Sequence, residues 1–109
     1  MSKHFANAVW RGNLKEGNGK YKLTSSGFTD SYTFHSRFED GDKSSPEELI
    51  GAALASCFSM ALAHDLDQNG AKPESIETDA EVHLTKTEVG FTITDINLKT
   101  RGTVKGISH

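Results

Sequence analysis

The sequence predicts an α+β fold of order βββ–α–ββ. Three observations predict it: segments near both ends alternate apolar and polar residues with period two, a single apolar helix with clear start and stop signals separates them, and no internal repeat interrupts the order. At 109 residues the chain is expected to be one domain spanning 1–109.

Phe5–Arg11 and Lys20–Thr24 read as the first two strands, joined by a turn at Glu16–Gly19. Asn18-Gly19 suits that turn because both residues tolerate positive φ. The "GNGK" stretch lacks the spacing and the following Ser or Thr of a phosphate loop. Ser31–Phe38, "SYTFHSRF", alternates as a third strand would.

The central helix has the clearest local signals. Ser45 is a good N-cap, Pro46 suits the first helical position, and Glu48 completes a capping box. Glu47 and Glu48 also match the positive end of the helix dipole. Asn69-Gly70 supplies the C-cap, and Pro73 prevents resumption. Between these signals the helix has almost no polar face before His64, so it must be covered on nearly all sides. One layer of strands covers only one side, and the other side needs either a partner chain or residues absent from this sequence. An obligate homodimer is therefore expected, each helix wrapped by strands of both subunits.

After the helix, Ser75–Lys86 places Ile76, Thr78, Ala80, Val82 and Leu84 on one face, with Glu77, Asp79, Glu81 and His83 on the other. A turn at Thr87–Gly90 leads into "FTITDINLKT", where Phe91 and Ile93 are out of phase with Ile96 and Leu98. A one-residue bulge near Thr94–Asp95 would restore the face.

Composition narrows the function. A net charge of −3 without any polybasic run argues against a nucleic-acid partner. The N-terminus shows no apolar signal-peptide core, and the apolar run Leu49–Leu62 is too short to span a bilayer. A lone cysteine excludes an intrachain disulfide, so a cytoplasmic protein without membrane association is expected. The five histidines show no ligand spacing; no metal and no cofactor are expected.

The only cysteine, Cys57, lies in the central helix. By itself it reads as a small buried hydrophobe. His64 is seven residues on, about 10 Å along the helix, too far for a Cys–His pair. Arg37 and Glu47 remain as candidates. An arginine beside a thiol favours the thiolate, and a carboxylate holds a guanidinium through two parallel hydrogen bonds. Each also has a plain explanation, Arg37 as a solvating strand charge and Glu47 as a dipole-matching first-turn residue.

The blocks "SRFEDG" and "SSPEELIGAALASCFSMAL", with "WRGNLKEGNG" near the start and "GFTITDINLKT" near the end, resemble the OsmC branch of the OsmC/Ohr family of thiol-dependent peroxidases. The resemblance covers essentially the whole chain. It implies reduction of organic hydroperoxides and, more weakly, hydrogen peroxide, with an external thiol or dithiol as reductant. It also implies an intertwined dimer with active sites at the subunit interface. Cys57 matches the peroxidatic cysteine, Arg37 the thiolate-stabilising arginine, and Glu47 its carboxylate partner. Leu54 stands where relatives often carry His or Tyr. Family members continue past "KGIS" into a helix bearing a second cysteine and a final strand, and this chain is expected to lack both.

The roles implied make a geometric demand. In one straight helix Glu47 and Cys57 lie about 15 Å apart along the axis. A break between Gly51 and Cys57 is therefore expected, placing Cys57 near a helix N-terminus whose dipole favours the thiolate. Two rival functions use the same features: a dimeric module binding an apolar ligand beside an inert Cys57, and a redox sensor whose assembly responds to Cys57 oxidation.

Overall fold

The computed structural model describes residues 2–38 and 44–105. The element order is β1 (Ala6–Arg11), β2 (Asn18–Leu23), β3 (Thr29–Tyr32), α1 (Phe34–Phe38), α2 (Pro46–Gln68), β4 (Lys72–Thr87) and β5 (Gly90–Lys105). The α+β, βββ–α–ββ order is as expected, with one short helix added. The chain divides into two compact units, Met1–Glu48 and Leu49–His109.

In the first unit β1, β2 and β3 form an antiparallel sheet in that order. The expected turn at Asn18-Gly19 is not there. Both residues open β2, paired with Arg11 and Trp10, and the turn lies earlier, where Gly17 N–H donates to the Asn13 carbonyl. Close approach explains the glycine better than turn chemistry does: a Cβ on Gly19 would sit 2.5 Å from the Tyr32 ring. Trp10 and Tyr32 flank Gly19 in one cross-strand row, and their ring centroids are 5.5 Å apart. Tyr21, one row along on the same face, is buried and lies 6.4 Å from Tyr32.

The third strand is shorter than the alternation suggests. It stops at Tyr32, and Phe34–Phe38 is helical. Side chains decide the change. Thr33 and Ser36 exchange hydrogen bonds, each hydroxyl accepting from the other's backbone N–H, at 3.1 and 2.8 Å. That reciprocal capping box nucleates a helical turn which period-two patterning does not reveal.

In the second unit β4 and β5 form a long antiparallel hairpin. The expected bulge is present. His83 pairs with Asp95 and Leu84 with Ile93, so Thr94 is the extra residue, and Ile93 and Ile96 return to one face. Small residues of α2 meet that face. Gly51 approaches Val82 and Ala80, and Ser59 Oγ bonds Thr78 Oγ1 at 2.7 Å, which in turn bonds Thr100 Oγ1 at 2.9 Å.

The ends of α2 follow the sequence signals. Glu48 N–H donates to Ser45 Oγ at 3.1 Å. At the other end Ala71 N–H reaches the Leu66 carbonyl and Gly70 N–H the Asp67 carbonyl, with Gly70 at φ 86°. This is a Schellman cap. The middle departs from expectation: α2 is one unbroken helix of 23 residues, so the break between Gly51 and Cys57 is absent. Without a β-branched run, a proline or an unsatisfied carbonyl, nothing in "GAALASC" forces a break, and Ser56 Oγ donates back to the Ala52 carbonyl within the turn. The helix is also longer than the run Leu49–Leu62, and by length and apolar composition it reaches what a bilayer crossing needs. The face turned away from the hairpin is bare: Ile50, Leu54 and Phe58 are exposed, and Met60, at the margin beside β4, is 71% exposed.

Candidate functional site

The site in the first unit is built where the sheet hands over to the helices. Arg37 occupies the last turn of α1, and its backbone N–H donates to the Thr33 carbonyl at 3.2 Å. Glu47 sits in the first turn of α2 and is buried. The two side chains meet. Arg37 Nε lies 3.3 Å from each carboxylate oxygen of Glu47, so one N–H is shared between two acceptors rather than two being offered in parallel. The carboxylate side chain is 10% exposed and the guanidinium side chain 38%. The acid is thus fixed inside the unit while the cation stays partly exposed.

Further hydrogen bonds hold the start of α2. Tyr21 Oη donates to Ser44 Oγ at 3.1 Å, and Ser44 Oγ donates to Asp30 Oδ2. The segment leading into Glu47 is thereby tied to β2 and β3. Beside the pair lies a cavity of about 270 Å³ lined by Trp10, Leu14, Tyr32, Thr33, Phe34, Arg37 and Pro46. Its walls are mainly aromatic and aliphatic, with a cation at the edge. That combination suits a small molecule with an apolar body and an oxygen-rich end.

Cys57 lies in the second unit, in the middle of α2, and is exposed. It is not the buried packing residue that a lone helical cysteine suggests. Nor is it near a helix N-terminus, because α2 starts at Pro46, so the dipole argument for its thiolate falls with the break. Ten residues of continuous helix put Glu47 and Cys57 about 15 Å apart along the axis. The structure therefore brings together Arg37 and Glu47, while Cys57 stands on the bare apolar face of α2 near Leu54 and Phe58.

Sequence reading alone misses Thr33 and Ser36, whose box shapes the turn bearing Arg37, and the cavity walls Trp10 and Tyr32. Thr-x-x-Ser was legible in "TFHS", but the strand alternation of the same residues masks it.

The OsmC-like protein family matches over residues 39–109. Peroxiredoxin OsmC of Escherichia coli strain K12 is 48% identical over 102 residues, which are 92% of this chain and 71% of that protein. The chain belongs to the OsmC family. Peroxiredoxin OsmC of Shigella flexneri matches to the same extent. Among solved structures, an OsmC-like protein from Vibrio cholerae superposes with a TM-score of 0.74 at 20% identity, covering 100% of this chain and 79% of that one. An organic hydroperoxide resistance protein OsmC from Legionella pneumophila gives 0.64 at 21% identity, over 99% and 76%. At these identities the structural matches establish the OsmC fold.

Proposed function

We propose that this OsmC-family protein is a cysteine-dependent peroxidase, which reduces organic hydroperoxides and, less efficiently, hydrogen peroxide. The relationship to proteins named peroxiredoxin supports a peroxidase-type redox function. The observation that carries the finer reading is the buried Glu47 carboxylate holding Arg37 at the edge of an apolar cavity.

The chemistry is displacement at oxygen. The Cys57 thiolate attacks the distal oxygen of ROOH, an S–O bond forms as the O–O bond breaks, and the leaving alkoxide takes a proton to become ROH. Cys57 is left as a sulfenic acid. Arg37 favours the thiolate and receives the negative charge moving onto the leaving oxygen. Two external thiols, or one dithiol, then return the sulfenic acid to the thiol with release of water. The 109 residues contain a single cysteine, so no second thiol within them can condense with the sulfenic acid. A cytoplasmic setting, where thiols stay reduced, fits this requirement.

The site is proposed to assemble between two copies. With α2 unbroken, Glu47 and Cys57 of one chain sit too far apart along the helix for one guanidinium to bridge them. Two antiparallel α2 helices crossing near Ala52, midway between residues 47 and 57, would bring Glu47 of one copy level with Cys57 of the other. Ala52, Ala53 and Ser56 are exposed and small enough for close approach, and the bare Ile50, Leu54 and Phe58 would be covered in the same step. A second copy covers this face while leaving the hairpin packed on the other, so a homodimer is preferred over a bilayer as the occupant.

The test is stoichiometric loss of cumene hydroperoxide on mixing with reduced protein. One equivalent should disappear with wild type and none with Cys57→Ser. Consumption that survives Cys57→Ser would refute the proposal. A wild type that binds the hydroperoxide without reducing it would favour the ligand-binding module. Oxidation of Cys57 that changes oligomeric state without sustained consumption in added dithiol would favour the sensor.

A further inference from the structure

We infer that Thr33 and Ser36 are positioning residues for Arg37, and that their mutual hydrogen bonds set where the guanidinium is presented. The inference rests on the role of Arg37 proposed above and extends it to two residues outside the set Cys57, Arg37 and Glu47.

Four hydrogen bonds converge on this single turn. Thr33 N–H donates to Ser36 Oγ at 2.8 Å, and Ser36 N–H donates to Thr33 Oγ1 at 3.1 Å. Ser36 Oγ donates to the Thr33 carbonyl at 2.9 Å, and that same carbonyl accepts Arg37 N–H at 3.2 Å. The Ser36 hydroxyl is thus donor and acceptor at once, and Ser36 is buried. Removing it would leave the Thr33 N–H without its partner in a site water reaches poorly, and would loosen the carbonyl that holds the Arg37 backbone.

Helix α1 has only five residues, too few to be stable on propensity alone. Its geometry depends on the box. If the turn relaxed toward the extended conformation of β3, residue 37 would be displaced and its side chain redirected, because period-two and helical backbones aim successive side chains differently. Glu47 could not follow. It is buried at the start of a helix fixed by the Ser45 cap and by the Tyr21–Ser44–Asp30 hydrogen bonds. One half of the ion pair is therefore anchored by α2 and the other by the Thr33–Ser36 box.

The experiment compares first-turnover rates with cumene hydroperoxide, and the pH midpoint of Cys57 alkylation, across wild type, Ser36→Ala, Thr33→Val, Thr33→Ser, Arg37→Met and the double variant Ser36→Ala/Arg37→Met. Ser36→Ala and Thr33→Val, which lose a hydroxyl, should each slow the reaction about tenfold and move the midpoint toward that of Arg37→Met. Thr33→Ser, which keeps the hydroxyl, should match wild type. In the Arg37→Met background, Ser36→Ala should cost nothing further, because the group it positions is gone. An equal cost in both backgrounds would show a merely structural role and overturn the inference, as would wild-type behaviour of Ser36→Ala alongside an impaired Arg37→Met. If Arg37→Met itself behaves as wild type, the role proposed for Arg37 fails and the inference falls with it. Should Ser36→Ala not fold, the contrast between Thr33→Val and Thr33→Ser decides.

Discussion

Arg37 and Glu47 are ten positions apart in sequence, yet their side chains share a hydrogen atom's worth of space, Nε at 3.3 Å from both carboxylate oxygens. Removing one partner is asymmetric in its effects. Arg37→Met takes away the cation that the proposed reaction needs, and the peroxide first-turnover rate should fall about a hundredfold or more. It also leaves a buried carboxylate without its cation, so a lower melting temperature should accompany the loss. Glu47→Gln keeps the shape and a carbonyl acceptor but not the charge. The guanidinium then loses the charge of Glu47, and the rate should drop about tenfold with the fold intact by circular dichroism. Retention of wild-type rate by Glu47→Gln would remove the carboxylate from the reaction.

Elements of this fold are fixed by different kinds of signal, and they were legible to different degrees. The ends of α2 were plain because capping is a local matter: Ser45 receives the Glu48 N–H, and Gly70 takes the positive φ of a Schellman cap. Gly70→Ala should therefore cost roughly 1–2 kcal/mol, read as a lowered midpoint in urea denaturation at unchanged slope. The Thr94 bulge was also visible, since the apolar residues change phase there. What the sequence hid were tertiary decisions. Asn18-Gly19 has the composition of a turn, but Gly19 is needed where the Trp10 and Tyr32 rings meet over a bare Cα. The alternation of "SYTFHSRF" carried a strand reading past Tyr32, and the Thr33–Ser36 exchange overrides it. A break in α2 was expected so that one guanidinium could serve both Glu47 and Cys57, with the small residues from Gly51 to Ser56 letting the chain bend, and the helix runs on. At Gly51, where a Cβ would lie 3.1 Å from Val82, Gly51→Leu should lower stability by about 1–3 kcal/mol through overpacking.

At the scale of the whole molecule the unresolved demand is coverage. A helix that carries Ile50, Leu54, Phe58 and Met60 exposed beside Cys57 presents the kind of apolar surface that marks an interaction site. The proposed homodimer would cover this surface, and would pair Cys57 of one copy with Arg37 and Glu47 of the other. Light scattering at micromolar concentration should give twice the 11.9 kDa chain mass, and Leu54→Lys on the shared face should shift the equilibrium to monomer and abolish peroxide reduction together. A monodisperse, active monomer would contradict the shared site. The family assignment was legible from the "PEELIGAALASCFSMAL" block, whereas the straight course of α2 was not.

Cys57 alkylation by iodoacetamide, followed as a function of pH in wild type and Arg37→Met, tests the central claim most directly. A cation seated against the sulfur should hold the thiolate to lower pH, giving a wild-type midpoint well below the free-thiol value of about 8.5 and a return toward that value in Arg37→Met. Superimposable profiles, both near the free-thiol value, would contradict the account.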